Sequence, residues 1–299
     1  MKKNGLLLLN KPEGITSHTA VRIVKRLVGA DKAGHTGTLD PMATGVLPIL
    51  IGRGVKASDY LTEADKHYVA VMRLGLTTDT EDITGQVLGE SNDIPSCDRV
   101  FRAVKSFIGE IEQTPPMYSA VRIGGKRLME LAREGKVIDR PSRTIHVYSI
   151  EPIMLSDREY SLDVVCSKGT YIRTLCADIG KALGCGAVMS ALCRTETCGY
   201  TLSDAHTPDE LKEMSAEELD ALIIPVSEVF SDLPAYSPAP FFVHLTKNGL
   251  SVDIRKLSAL PCRGVGDRLR LFDESGSFYA LAEITAKEDS TVLTPLKQF

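Results

Sequence analysis

No Cys-x-x-Cys pair occurs among the seven cysteines, Cys97, Cys166, Cys176, Cys185, Cys193, Cys198 and Cys262. An odd number without paired spacing signals neither a disulfide framework nor a zinc site, so they read as buried thiols. The six histidines are scattered and none shows ligand spacing, which leaves a catalytic metal without support. There is no P-loop, and Gly52-Arg53-Gly54 lacks the third glycine and the following pattern of a dinucleotide site, so no nucleotide cofactor is expected. Gly-x-Ser-x-Gly is missing as well. The apolar run Leu6 to Leu9 is too short for a signal segment, and no stretch approaches the length of a membrane span. The expectation is a soluble, cytoplasmic protein.

What remains is ample apolar material and unevenly spread charge. With 299 residues, 43% hydrophobic and 25% charged, the chain can bury one large core and a smaller one, so two domains are expected. The net charge of −4 conceals an asymmetry: residues 1–60 hold nine Lys/Arg against four Asp/Glu, and residues 122–143 hold seven against three. Residues 204–232 hold nine acids against one lysine. Such a distribution leaves basic faces on an acidic protein, the local requirement for binding phosphates.

Periodicity gives the frame. Gly5 to Asn10 reads as a buried strand, and Ser17 is placed to cap a helix carrying Val21, Val24, Leu27 and Val28, ended by Gly29. Val46 to Ile51 and Lys66 to Gly75 read as strands, the second with Tyr68, Ala70, Met72 and Leu74 on one face. A helix starts at Ser96, and a hairpin about Gly124-Gly125 leads into a short basic helix over 128–133. Strands at 146–155 and 160–166 precede a helix with Ile172, Leu175, Cys176, Ile179 and Leu183 inward. Two small acidic helices begin at Thr207-Pro208 and Ser215, 231–240 reads as a linker, and a mostly β module of about sixty residues follows.

Between the first helix and the second strand lies GHTGTLDPMATGVLP, residues 34–48, which sets three glycines and two prolines around one carboxylate, Asp40. By local grammar alone this is a shaped turn whose Asp is held by backbone donors. Its position between helix and strand also suits presentation of a side chain into a cleft. A lone carboxylate, aromatic residues and basic residues form an inventory for covalent or acid–base work on a polyanion without a cofactor.

The same loop resembles the catalytic motif of the tRNA pseudouridine-55 synthases of bacterial type, which isomerise the T-loop uridine. KPEGITS (11–17), DKHY (65–68), TTDTEDITG (77–85), PPMYSAVRIGGKRLMELAREG (115–135), SKGTYIR (167–173) and LCRTETCG (192–199) fall in that family's order and spacing. The resemblance implies an α+β pseudouridine synthase fold over 1–232, a mostly antiparallel sheet flanked by helices with a thumb-like insertion at about 112–143. It further implies a PUA-like β-barrel over 238–299 that binds RNA.

Residue by residue, the resemblance makes Asp40 the nucleophile, attacking C6 of the uracil or C1′ of the ribose, with Arg173 as its ion-pair partner. Tyr68 stacks on the flipped uracil and handles a proton, Tyr171 and Leu192 wall the pocket, and His35 enters the T-loop. Lys11 with Pro12 braces the pocket, and Asp82 touches exposed base edges. Arg122, Lys126, Arg127 and Arg133 lie in the segment resembling the thumb, where they meet phosphates. Three positions depart from the usual pattern: Arg122 stands where lysine is common, Met129 where an aromatic ring is common, and Cys193 where arginine is common. No cofactor or metal is implied, and the expected partner is the tRNA T-arm, engaged by a monomer without a protein partner.

Overall fold

The computed structural model describes residues 3–288 and 290–299. An α+β body is built on a nine-stranded sheet whose main path runs Gly5–Lys11, Thr44–Ile51, Ala187–Thr197, Lys66–Leu74, Glu159–Cys166, Arg143–Met154 and Gly109–Gln113. Neighbours on this path are antiparallel except Thr44–Ile51 and Ala187–Thr197, which run parallel through Cys193 opposite Thr44 and Arg194 opposite Gly45. The short strand Ala33–His35 adds to Thr44–Ile51, and Tyr200–Thr201 adds to Ala187–Thr197.

The strand Lys66–Leu74 alternates as its sequence requires, burying Lys66, Tyr68, Ala70, Met72 and Leu74. Helices Ser17–Leu27, Cys97–Lys105 and Ile172–Leu183 supply Val24, Val100, Val104, Leu175 and Ile179 to the same core. One cap differs from expectation. Thr16, not Ser17, caps the first helix by accepting from the Thr19 N–H at 3.0 Å, which frees the buried Ser17 hydroxyl for another task. All seven cysteines are free thiols, but only Cys166, Cys176 and Cys185 are buried; the other four are half-buried.

Gln113 and Arg143 face each other on adjacent strands at the edge of the sheet, so residues 114–142 leave and return at a single rung. Within this excursion Arg122–Ile123 and Lys126–Arg127 pair as a hairpin about Gly124 and Gly125, both at positive φ, followed by the helix Leu128–Arg133.

The C-terminal module is a second sheet, ordered Ala235–Tyr236, Arg268–Phe272, Phe278–Lys287, Ser290–Gln298, Val252–Asp253, with helix Pro240–Lys247. The stretch expected as a linker is part of the structure: Tyr236 is buried and its hydroxyl donates to the Ser258 carbonyl at 3.0 Å. Phe230, Phe278 and Phe299 form a ring cluster that joins the two sheets, with Leu281 packed against Leu6, Leu8 and Leu50. Each buried side chain of this size contributes roughly 1.5–3 kcal/mol, so the module is seated firmly.

Candidate active site

Asp40 stands at the top of its loop, where three groups fix the backbone around it. The Ser17 hydroxyl accepts from the Leu39 N–H at 2.8 Å and donates to the Leu39 carbonyl at 2.9 Å. The fully buried Lys11 side chain donates to the carbonyls of Pro12 and Pro41 at 2.8 and 3.3 Å. Burial pulls the Lys11 pKa down to about 8 although Asp40 and Glu13 oppose the shift. On the far side, Gly45 has φ near +106°, and a Cβ there would lie 2.2 Å from the Arg194 carbonyl oxygen, so only glycine lets the two parallel strands approach.

Arg173 lies behind Asp40 and is nearly buried. Its Nε is 2.9 Å from Asp40 Oδ2, while its remaining donors reach the Thr80 carbonyl at 2.9 Å and the Tyr118 carbonyl at 2.8 Å. The guanidinium is thereby held at a fixed angle to the carboxylate. Burial raises the Asp40 pKa above the ordinary carboxylate value, Arg173 and Lys11 pull it back, and Asp82 pushes it up. Desolvation wins this balance.

Asp40, Arg173, Tyr68, Tyr171 and Leu192 line one cleft of about 500 Å³. Gln113, fully buried, holds the Tyr171 backbone from both sides, accepting from its N–H at 2.7 Å and donating to its carbonyl at 3.0 Å, and Arg143 lies over the Tyr171 ring at 4.8 Å. Burial pushes the Tyr68 phenol up against the pull of Arg194 beside it. Two buried hydroxyls of the cleft wall, Thr36 Oγ1 and Ser119 Oγ, have no hydrogen-bond partner among the described residues.

Five other expected residues lie off this cleft. His35 sits next to Thr36 on the strand Ala33–His35, half-buried, with its Nδ1 accepting from the Gly37 N–H at 3.3 Å. Burial, with Arg194 and His18, lowers its pKa, so at neutral pH the imidazole is uncharged with its remaining proton on Nε2. Asp82, expected at exposed base edges, is instead 5% exposed, because Thr80 and Thr84 hydrogen-bond Oδ1 while Oδ2 lies 3.7 Å from Arg173. It backs the Arg173 guanidinium. Arg122, Lys126 and Arg127 are exposed on the hairpin, with Arg122 directly opposite Arg127.

Arg194 lies in the LCRTETCG motif, but the sequence alone assigns it no role. It is 1% exposed, lines the cleft, and donates to the Val46 carbonyl at 2.8 Å and the Gly37 carbonyl at 3.3 Å, gripping both shoulders of the Asp40 loop. Cleft size alone does not identify a site. A larger cleft of about 810 Å³ is lined by Lys3, Lys32, Arg53 and Lys56 among others, with no aromatic ring. There Lys3 pairs with Asp220, while Arg53 and Lys56 donate to the carbonyls of Phe299 and Gln298 and dock the chain's last strand.

Residues 25–172 match the N-terminal domain of the TruB family pseudouridylate synthases, and residues 173–231 match the C-terminal domain of tRNA pseudouridylate synthase B. A tRNA pseudouridine synthase B from Alkaliphilus oremlandii (strain OhILAs) is 49% identical over 223 residues, 75% of this chain and 74% of that protein. The chain belongs to the TruB family of pseudouridylate synthases. A second relative of the same name, from Thiobacillus denitrificans (strain ATCC 25259 / T1), is 42% identical over 286 residues, 95% of this chain and 93% of that one. A solved Cbf5-Nop10-Gar1 complex contains a chain similar over 98% of this one and 84% of its own length, at 28% identity and TM-score 0.71. That similarity spans both sheets, whereas the two family models end at residue 231, before the second sheet begins.

Proposed function

We propose that this TruB-family enzyme isomerises uridine 55 in the T-loop of tRNA to pseudouridine, with Asp40 as nucleophile. The observation that carries the reading is the Asp40–Arg173 pair at 2.9 Å in a cleft walled by Tyr68, Tyr171 and Leu192. The names of the curated relatives support tRNA as the substrate. The reaction breaks N1–C1′ and forms C5–C1′; C5 gives up a proton and N1 gains one, so nothing leaves and no oxidant enters. Asp40 must be ionised although burial raises its pKa, and Arg173 favours that form. A base drawn from an RNA loop loses a few kcal/mol of stacking, which Tyr68 and Tyr171 replace. The unpaired Thr36 and Ser119 hydroxyls suit a polar nucleotide.

The hairpin supports the grip on RNA. Arg122 faces Arg127 across two strands, an arrangement that like-charge repulsion disfavours until an anion sits between them. The C-terminal module, expected as the PUA type, presents a second surface for the same RNA. The test is single-turnover conversion of uridine in an isolated T-arm hairpin. Wild type converts it, and Asp40→Asn binds within about threefold of wild-type affinity but makes no pseudouridine. Conversion by folded Asp40→Asn above the enzyme-free background removes the nucleophile assignment; an unmodified hairpin with wild type removes the stand-alone tRNA reading.

A further inference from the structure

Arg194 is, with Lys11 and Lys66, one of the buried cations that the ion-pair chemistry above leaves unused, and the only one of the three whose cross-strand partner is Tyr68 among the described residues. Among the described residues no carboxylate pairs with it, and its hydrogen-bond acceptors are the backbone carbonyls of Val46 and Gly37. A fully desolvated cation with only neutral acceptors is costly, and such a group is retained where negative charge appears beside it. Its place in the sheet says where. Arg194 and Tyr68 are direct cross-strand partners, so their side chains share one face, and both line the cleft that contains Asp40. The two carbonyls come from opposite ends of the Asp40 loop, and the Gly37 backbone packs against the guanidinium, so the cation cannot swing away from Tyr68.

We propose that Arg194 is a positioning residue for pseudouridine formation that acts through the Tyr68 hydroxyl, a role that rests on the function proposed above. The hydroxyl gives its proton to N1 as the glycosidic bond breaks and regains one from C5 after the new bond forms. In the interval the phenol oxygen carries negative charge, and the anchored guanidinium stabilises it. The pull of Arg194 on the Tyr68 pKa, against burial, has the sign this requires.

A double-mutant cycle tests the coupling. Arg194→Lys and Arg194→Met are made alone and with Tyr68→Phe, which keeps the stacking ring and deletes only the hydroxyl. Single-turnover rate and affinity for the T-arm hairpin are measured separately, and thermal melts establish folding. With Tyr68 intact, Arg194→Lys slows the rate about tenfold and Arg194→Met at least about a hundredfold, while affinity stays within about threefold. With Tyr68→Phe present, both further losses shrink to about threefold or less. Equal losses in the two backgrounds, or a folded Arg194→Lys as slow as Arg194→Met, overturn the proposal and leave Arg194 a loop clamp. If Arg194→Met does not fold, the Arg194→Lys cycle decides alone. Wild type and Asp40→Asn run alongside: conversion by the first and none by the second preserves the proposed function whatever the cycle returns.

Discussion

Residues 36–43 and residues 114–142 both leave the central sheet, and they are held in opposite ways. The first is fixed from beneath by Ser17 and Lys11, from the side by Arg194, and at its exit by the close strand approach at Gly45. The second is pinned by the buried Leu128 and Leu131 and by backbone bonds from Leu128 to Val121 and Met129 to Ser119, while Arg122, Lys126, Arg127, Arg133 and Lys136 stand in solvent. A nucleophile must be placed to a fraction of an ångström, because small displacements cost orders of magnitude in rate. Phosphates are met by charge at longer range, which tolerates motion and gains from reach.

Arg173→Met should break the rigid side hardest. Removing the guanidinium takes away the main force opposing desolvation of Asp40, so the Asp40 pKa rises further. The acid form is inactive, so rate falls as pH falls through that pKa. Wild type should show an acid limb above the ordinary Asp range, and Arg173→Met should move it further up, with a loss of about a hundredfold or more at neutral pH. Arg173→Lys, which keeps a cation without the fork that reaches Thr80 and Tyr118, should fall between. An acid limb that does not move in folded Arg173→Met would detach Arg173 from the ionisation of Asp40.

The exposed side should respond to salt instead. Replacing Arg122 and Arg127 by Gln should weaken RNA binding and flatten the slope of log K against log salt by about 1.4–1.8 units, roughly 0.7–0.9 for each phosphate that is no longer neutralised. Single-turnover rate at saturating RNA should change by less than about threefold. An unchanged salt slope would make the hairpin a solvated face and move the grip to the C-terminal module.

The same contrast governs what the sequence disclosed. Local features read through: the hairpin at Gly124-Gly125, the alternation along Lys66–Leu74 and the helix starts at Thr207-Pro208 and Ser215 each depend on neighbours a few residues away. The strand Ala187–Thr197 did not, because register shifts after Met189 and after Arg194 break its two-residue period. Gly109–Gln113 is an edge strand reading GEIEQ, with too little apolar signal to register. The roles of Arg194 and Ser17 stay hidden for a different reason. Their partners are backbone atoms, 148 residues away for Arg194 and Val46 and 22 for Ser17 and Leu39, and a carbonyl leaves no residue type to recognise. Asp82 misleads because a TTDTEDITG turn looks exposed until Thr80 and Thr84 fold its carboxylate inward.

Ser17→Ala gives the smallest effect and the finest comparison, since it removes one oxygen beneath the loop and touches nothing in the cleft. The Leu39 N–H and carbonyl lose their shared partner in a buried place, which should lower stability by about 1–3 kcal/mol. Lys11 and Arg194 still hold the loop, so Asp40 shifts slightly and does not leave the cleft. The single-turnover rate should drop about three- to tenfold while affinity and the acid limb stay put, because neither the phosphate grip nor the Asp40–Arg173 charge balance is altered. The corresponding change on the exposed side, Arg133→Ala, should leave stability within about 0.5 kcal/mol. If Ser17→Ala loses stability yet keeps its full rate, Lys11 and Arg194 suffice to place Asp40, and rigidity beneath Leu39 serves folding, not chemistry.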